Sequence, residues 1–88
     1  MLLAIDIGNT NIVLGLFDHE TLSQHWRLAT RPNRTADELS VLVRQLFEGR
    51  GLDMKQVSGV VLSSVVPPLT ATVTEMVRGA FGQESLTI

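Results

Sequence analysis

The stretch AIDIGNTNIVLGLFD, residues 4–18, joins two apolar runs through four small or polar residues. Ala4, Ile5 and Ile7 precede the break, and Ile12, Val13, Leu14, Leu16 and Phe17 follow it. Both runs are short and β-compatible, so they read as strands over residues 2–7 and 12–17, joined by a tight hairpin. The second run is apolar at nearly every position, which predicts a central strand covered on both faces. In the turn, Gly8 is expected to supply unusual backbone angles, and Asn9 and Asn11 tolerate left-handed conformations. Asp6 is the anomaly. An unpaired carboxylate inside an apolar run is costly if the strand buries it.

The rest of the chain extends this hairpin. Residues 18–20 make the next turn. Residues 22–30 alternate, with Leu22, Gln24, Trp26 and Leu28 expected on one face and Ser23, His25 and Arg27 on the other, which predicts a half-buried third strand. In RPNRTADE, residues 31–38, Pro32 and Asn33 mark a loop, and Thr35 with Glu38 forms a capping box that starts a helix. Leu39, Leu42, Val43, Leu46 and Phe47 then fall on one helical stripe, and Gly49 and Gly51 end it. Residues 59–63 read as a fourth strand, stopped by Pro67 and Pro68. Leu69, Val73, Met76, Val77, Ala80 and Phe81 line a second amphipathic helix, and residues 85–88 begin a fifth strand. A chain that stops inside a strand is expected to be a piece of something longer. The predicted order is β-β-β-α-β-α-β. Crossovers of helical length require parallel pairing, so the fold class is α/β, a mixed sheet with helices on its faces.

Composition narrows the function. The 88 residues allow one small domain; they are 44% hydrophobic and 18% charged, which is globular. The net charge of −2 offers no long-range attraction to nucleic acid or to an anionic membrane surface. The absence of cysteine excludes disulfide frameworks and thiolate metal sites, and fits a reducing compartment. The N-terminus has no basic region before its apolar run, and the charge-free run 57–74 is broken by Gly59, Pro67 and Pro68, so neither a signal peptide nor a membrane helix is expected. Asn33-Arg34-Thr35 matches a glycosylation acceptor and is read as chance.

The polar tetrad suits a phosphate. Successive backbone N–H groups in such a turn form a concave nest for an anion, and the Thr10 hydroxyl and the Asn amides add donors. Asp6 would repel a bare phosphate but fits one carrying Mg²⁺, which is held by one or two carboxylates, waters and phosphates. The bland alternative is a polar β-turn capped by an Asp. No Gly-x-x-x-x-Gly-Lys-Ser/Thr and no Gly-x-Gly-x-x-Gly occurs, so a helix-start phosphate site is not expected. Ser63 and Ser64 end the fourth strand, where they either form the strand-to-helix turn or flank the phosphate site. Asp18, Glu20, Asp37, Glu38 and Asp53 read as caps or solvated turns. His19 and His25 are lone histidines without metal-ligand spacing. Trp26 reads as core, and Arg27, Arg31 and Arg34 as a solvated face. No residue of the chain reads as the general base of a phosphoryl transfer.

DIGNTNIVLGLFD, residues 6–18, resembles the opening of type III pantothenate kinases. QHWRLAT (24–30), TADELSVLV (35–43) and VVLSSVVPPL (60–69) are similar at compatible spacing, so the resemblance covers the whole chain. The family belongs to the acetate kinase, sugar kinase, Hsp70 and actin superfamily, whose ribonuclease H-like fold opens β-β-β-α-β-α-β. The resemblance implies ATP-dependent phosphorylation of pantothenate to 4′-phosphopantothenate, the first step of coenzyme A biosynthesis. It also implies Mg²⁺, a monovalent cation (K⁺ or NH₄⁺), a cytoplasmic homodimer, and no nucleic-acid or membrane partner. Carried over by position, the ATP-phosphate loop is Asp6, Ile7, Gly8, Asn9, Thr10, Asn11, Ile12 and Val13, with Asp6 bearing on the metal. Residues 1–88 then form the N-terminal ATP-phosphate-binding lobe. The catalytic Asp, the second phosphate motif and most of the pantothenate pocket are expected downstream, and the 88-residue piece is expected to be inactive alone. The alternatives are a non-catalytic regulatory or accessory protein of the same fold, or another kinase or ATPase of the superfamily.

Overall fold

In the computed structural model, which describes residues 1–88, five strands form one sheet in the order β3-β2-β1-β4-β5. β1 (Leu2–Ile7) and β2 (Asn11–Asp18) are the expected antiparallel hairpin, with Ile7 opposite Ile12 as its last pair. β3 (Thr21–Ala29) continues the meander on the outside of β2. β4 (Gly59–Ser64) returns parallel to β1, and β5 (Leu86–Thr87) lies parallel to β4. The order β-β-β-α-β-α-β is therefore the one the sequence predicts, except for an additional 3₁₀ turn at Met54–Gln56, where Asp53 and Gln56 form a capping box of their own.

The helices start and stop for local reasons. α1 (Ala36–Glu48) begins on the predicted capping box: Thr35 Oγ1 accepts the Glu38 N–H at 3.1 Å, and the Glu38 carboxylate accepts the Thr35 N–H at 3.1 Å. α2 (Pro67–Phe81) opens with Pro67, where a missing N–H costs nothing, and closes on Gly82 in the left-handed conformation (φ 65°) that a Cβ would penalise. Just beyond, Arg78 Nε donates to Glu84 at 2.6 Å, and this hydrogen bond holds the Glu84 carboxyl below the usual glutamate range.

Both helices pack on the same face of the sheet. The chain steps from β3 past β2 and β1 to β4, then on to β5, always in one direction. Two crossovers of the same hand must then lie on the same side. Leu3, Ile5 and Ile7 of β1, Ile12, Leu14 and Leu16 of β2, and Val60 and Leu62 of β4 meet the buried stripes of α1 and α2 there. Every buried side chain is apolar. At one end of this core Phe47 stacks on Trp26 (centroids 5.2 Å apart) and meets Phe81 edge-on (5.8 Å), while the Arg50 guanidinium lies over the Trp26 ring.

Two expectations give way here. β2 is not covered on both faces: Ile12, Leu14 and Leu16 are buried, but Val13, Gly15 and Phe17 on the other face are only half-buried. Their apolar character reflects an open groove of about 450 Å³ on the helix-free face rather than a second layer. Leu22 also faces away from Trp26. Leu16 pairs with Gln24 but Phe17 pairs with Leu22, so Ser23 is an extra residue on β3. This bulge reverses the alternation, and Leu22 joins Phe17, Gly15 and His25 on the open face.

Candidate functional site

The β1 and β4 strands are parallel neighbours, so their carboxyl ends, at Ile7 and Ser64, lie side by side. Ligands of open α/β sheets bind beyond such ends. The sequence-predicted loop is found there. Asp6 and Ile7 are the last residues of β1; Gly8, Asn9 and Thr10 make the turn; Asn11, Ile12 and Val13 begin β2. Ile7 and Ile12 are buried among the helix-facing core, so their side chains are structural and only their backbones face the loop.

The turn is held from inside and from both flanks. The Gly8 N–H donates to the Asn11 carbonyl at 2.9 Å and closes the hairpin. On one flank Thr30, just past β3, donates its hydroxyl to the Gly8 carbonyl at 2.7 Å and its N–H to the Thr10 carbonyl at 2.9 Å. On the other, the Val65 N–H donates to the Ile7 carbonyl at 3.0 Å. These bonds engage the Ile7, Gly8, Thr10 and Asn11 carbonyls and leave donors over. The Asn9 and Thr10 N–H groups, the Thr10 hydroxyl and the amides of Asn9 and Asn11 donate to no other group of the chain, and Asn9 and Thr10 are exposed.

The glycine has a different role from the one expected. No residue from Gly8 to Asn11 has a positive φ, so the turn contains no left-handed residue and is not a nest built from alternating right- and left-handed residues. Gly8 instead fits a tight space. A Cβ on it would sit 3.1 Å from the Asn11 backbone oxygen, tighter than side chains normally allow. Its own N–H is committed to the hairpin, so the free donors are those of Asn9 and Thr10.

Asp6 solves its burial problem by facing the open side of the sheet. It pairs with Val13 on one side and Ser63 on the other and is exposed. Ser63 Oγ donates to Asp6 Oδ1 at 2.8 Å. No lysine or arginine lies within ion-pair distance of Asp6: the Arg78–Glu84 ion pair and the Asp18–His19 contact are elsewhere. Nor do three or more His, Cys, Asp or Glu side chains converge anywhere. A single exposed carboxylate beside free N–H donors does not make a protein cage for a metal. It does fit a hydrated Mg²⁺ whose other ligands come from water and phosphate.

Ser64 belongs to the turn into α2. Its hydroxyl accepts the Val66 N–H at 3.0 Å, while Val66, the residue at the helix start, has no side-chain cap. His25 lies on the open face and His19 in the β2–β3 turn with φ 56°; neither belongs to a group of three or more potential metal ligands. Arg34 donates to the Ala29 carbonyl, a local tie of the loop after β3. Sequence reasoning missed two contributors to the site, Thr30 and the Ser63–Asp6 hydrogen bond. The QHWRLAT segment and the strand-end position of Ser63 drew attention to those residues, but neither showed what the side chains touch.

The whole chain superposes on part of two solved kinases. One is a candidate N-acetylglucosamine kinase from Porphyromonas gingivalis (TM-score 0.70, 12% identity, 99% of this chain and 33% of that one). The other is the ROK hexokinase of Thermus thermophilus (TM-score 0.67, 17% identity, 99% of this chain and 32% of that one). At such identities the match concerns the fold alone, and it defines the class: a mixed α/β, ribonuclease H-like sheet. Within that class the chain belongs to the type III pantothenate kinase family, whose model matches residues 2–88. It is 53% identical over 88 residues to the type III pantothenate kinase of Moorella thermoacetica, and 51% identical over 88 residues to that of Brevibacillus brevis. All of this chain is covered in both cases but only 35% and 34% of those relatives, so it spans about a third of their length.

Proposed function

We propose that this chain is the ATP-phosphate lobe of an enzyme that phosphorylates pantothenate to 4′-phosphopantothenate, the opening step of coenzyme A biosynthesis. The reading includes Mg²⁺, a monovalent cation (K⁺ or NH₄⁺), a homodimeric assembly and a cytoplasmic setting. One observation carries it: a braced turn presents the free N–H groups of Asn9 and Thr10 beside the exposed Asp6 carboxylate, at the carboxyl ends of two parallel strands. The family match over residues 2–88 supplies the reaction class.

On this reading the turn receives the β- and γ-phosphates of ATP. The Asn9 and Thr10 N–H groups and the Thr10 hydroxyl donate to phosphate oxygens that a rigid main chain has already aligned. Asp6 holds the metal or one of its waters. Magnesium, when bound, neutralises charge on the transferred phosphoryl group, and positioning with neutralisation makes up most of such catalysis. No carboxylate here serves as the base for the pantothenate hydroxyl. Glu38 and Asp53 are engaged in caps, Glu84 is paired with Arg78, and Asp18 lies in a distant turn. That base and the pantothenate pocket are assigned to the two thirds of the family's length that this chain does not span, and the chain alone is expected not to turn over.

The test is a ¹H–¹⁵N titration of the chain with a non-hydrolysable ATP analogue and Mg²⁺. The Asn9 and Thr10 amides should shift first, and Asp6→Asn should weaken the metal-dependent binding by about tenfold. Shifts that avoid residues 6–11 at millimolar nucleotide would refute the phosphate site. For the whole protein carrying this lobe, pantothenate-dependent ADP release tests the reaction.

A further inference from the structure

Asp6 is the only carboxylate at the carboxyl end of β1 and β4, and an exposed aspartate would ordinarily sample several rotamers in water. Here one partner limits it. Asp6 and Ser63 occupy paired positions of the parallel strands β1 and β4, so both side chains rise from the same face of the sheet. The Ser63 hydroxyl has a single proton to give and gives it to Asp6 Oδ1 at 2.8 Å, the usual length for such a bond. On the opposite flank the paired residue is Val13, whose side chain has no donor. Asp6 Oδ2 accepts no hydrogen bond from the chain.

We propose that Ser63 is a positioning residue: its hydroxyl holds one oxygen of Asp6 so that the other faces the magnesium of the bound nucleotide. This rests on the phosphate-site reading above and adds to it the residue that orients the metal-bearing carboxylate. Partners that orient a ligating group without touching the metal commonly alter metal affinity by about 10- to 100-fold. The exposure of this pair places the expected effect at the lower end.

The test measures the affinity of the 88-residue chain for a non-hydrolysable ATP analogue, once with Mn²⁺ and once with EDTA; paramagnetic broadening of the residue 6–11 amides reports where the metal sits. Ser63→Ala should cut the gain in affinity provided by Mn²⁺ by about tenfold, leaving the metal-free affinity and the dispersion of the remaining amides unchanged. Ser63→Thr keeps the hydroxyl on a residue at home in strands and should restore the gain. A purely structural role for Ser63 would move both affinities together. If Asp6→Asn loses the gain while Ser63→Ala keeps it, the positioning role is wrong and the phosphate site stands. If the unaltered chain shows no metal-dependent gain, both proposals fall.

Discussion

Thr30 ties the end of β3 to the turn at residues 8–11 with two hydrogen bonds, one from its side chain and one from its backbone. Thr30→Val keeps the shape and the backbone bond but leaves the half-buried Gly8 carbonyl without its donor. It should cost about 1 kcal/mol in chemical denaturation, whereas Thr30→Ser should stay close to the original stability. The same loss should broaden the Asn9 and Thr10 amide signals, because the turn would keep only one of its two bonds on that flank. Asp6 was legible in the sequence as an acid where acids are costly, and the turn as a phosphate candidate. The contacts of Thr30 and Ser63 were not, because their partners lie 22 and 57 residues away and only the strand register brings them together. The reason for Gly8 was misread on similar grounds. A demand for space against the Asn11 oxygen leaves the same glycine in the sequence as a demand for positive φ.

Helix α1 shows what periodicity can and cannot convey. Its capping box and its stripe of Leu39, Val43 and Phe47 were legible because cap and stripe are both local to 13 residues and their approach. What Phe47 touches was not. It stands between Trp26 of β3 and Phe81 of α2, joining three elements at one end of the core. Phe47→Ala should therefore cost about 3–5 kcal/mol. Stability of about 0.05–0.15 kcal/mol per residue gives a chain this size roughly 4–13 kcal/mol in all, so a large fraction is at stake. A thermal melt read by near-ultraviolet circular dichroism should report it, since Trp26 would lose its stacking partner. A melting point within a few degrees of the original would show that the aromatic trio is incidental. Strand β3 is the opposite case. Its alternation was read correctly from Gln24 to Leu28 and failed at Leu22, because a bulge at Ser23 depends on the partner strand and leaves no mark in the composition of its own.

Across the molecule, the order of elements was legible while the placement of layers was not. Three hairpin-linked strands followed by two crossovers follow from turn residues and helix length. That both helices take the same side follows from the strand order β3-β2-β1-β4-β5, which no local pattern encodes. The result divides the sheet. One face is dry and packs against α1 and α2; the other carries Asp6 and Ser63 at the rim of an apolar groove that also includes Phe17, Leu22 and Val61. The continuous hydrophobicity of β2, read as two buried faces, is the sequence trace of that groove.

The Val65 N–H that secures the end of β1 belongs to the main chain, while the Val65 side chain is 67% exposed and holds nothing. A saturation library at codon 65 should consequently give an almost flat landscape, with charged, tiny and aromatic variants all folding alike. The single trough should be proline, the one amino acid without a hydrogen to lend Ile7. Scored by protease resistance of displayed variants, an inconspicuous surface valine would then register as indifferent to nineteen chemistries and intolerant of one ring.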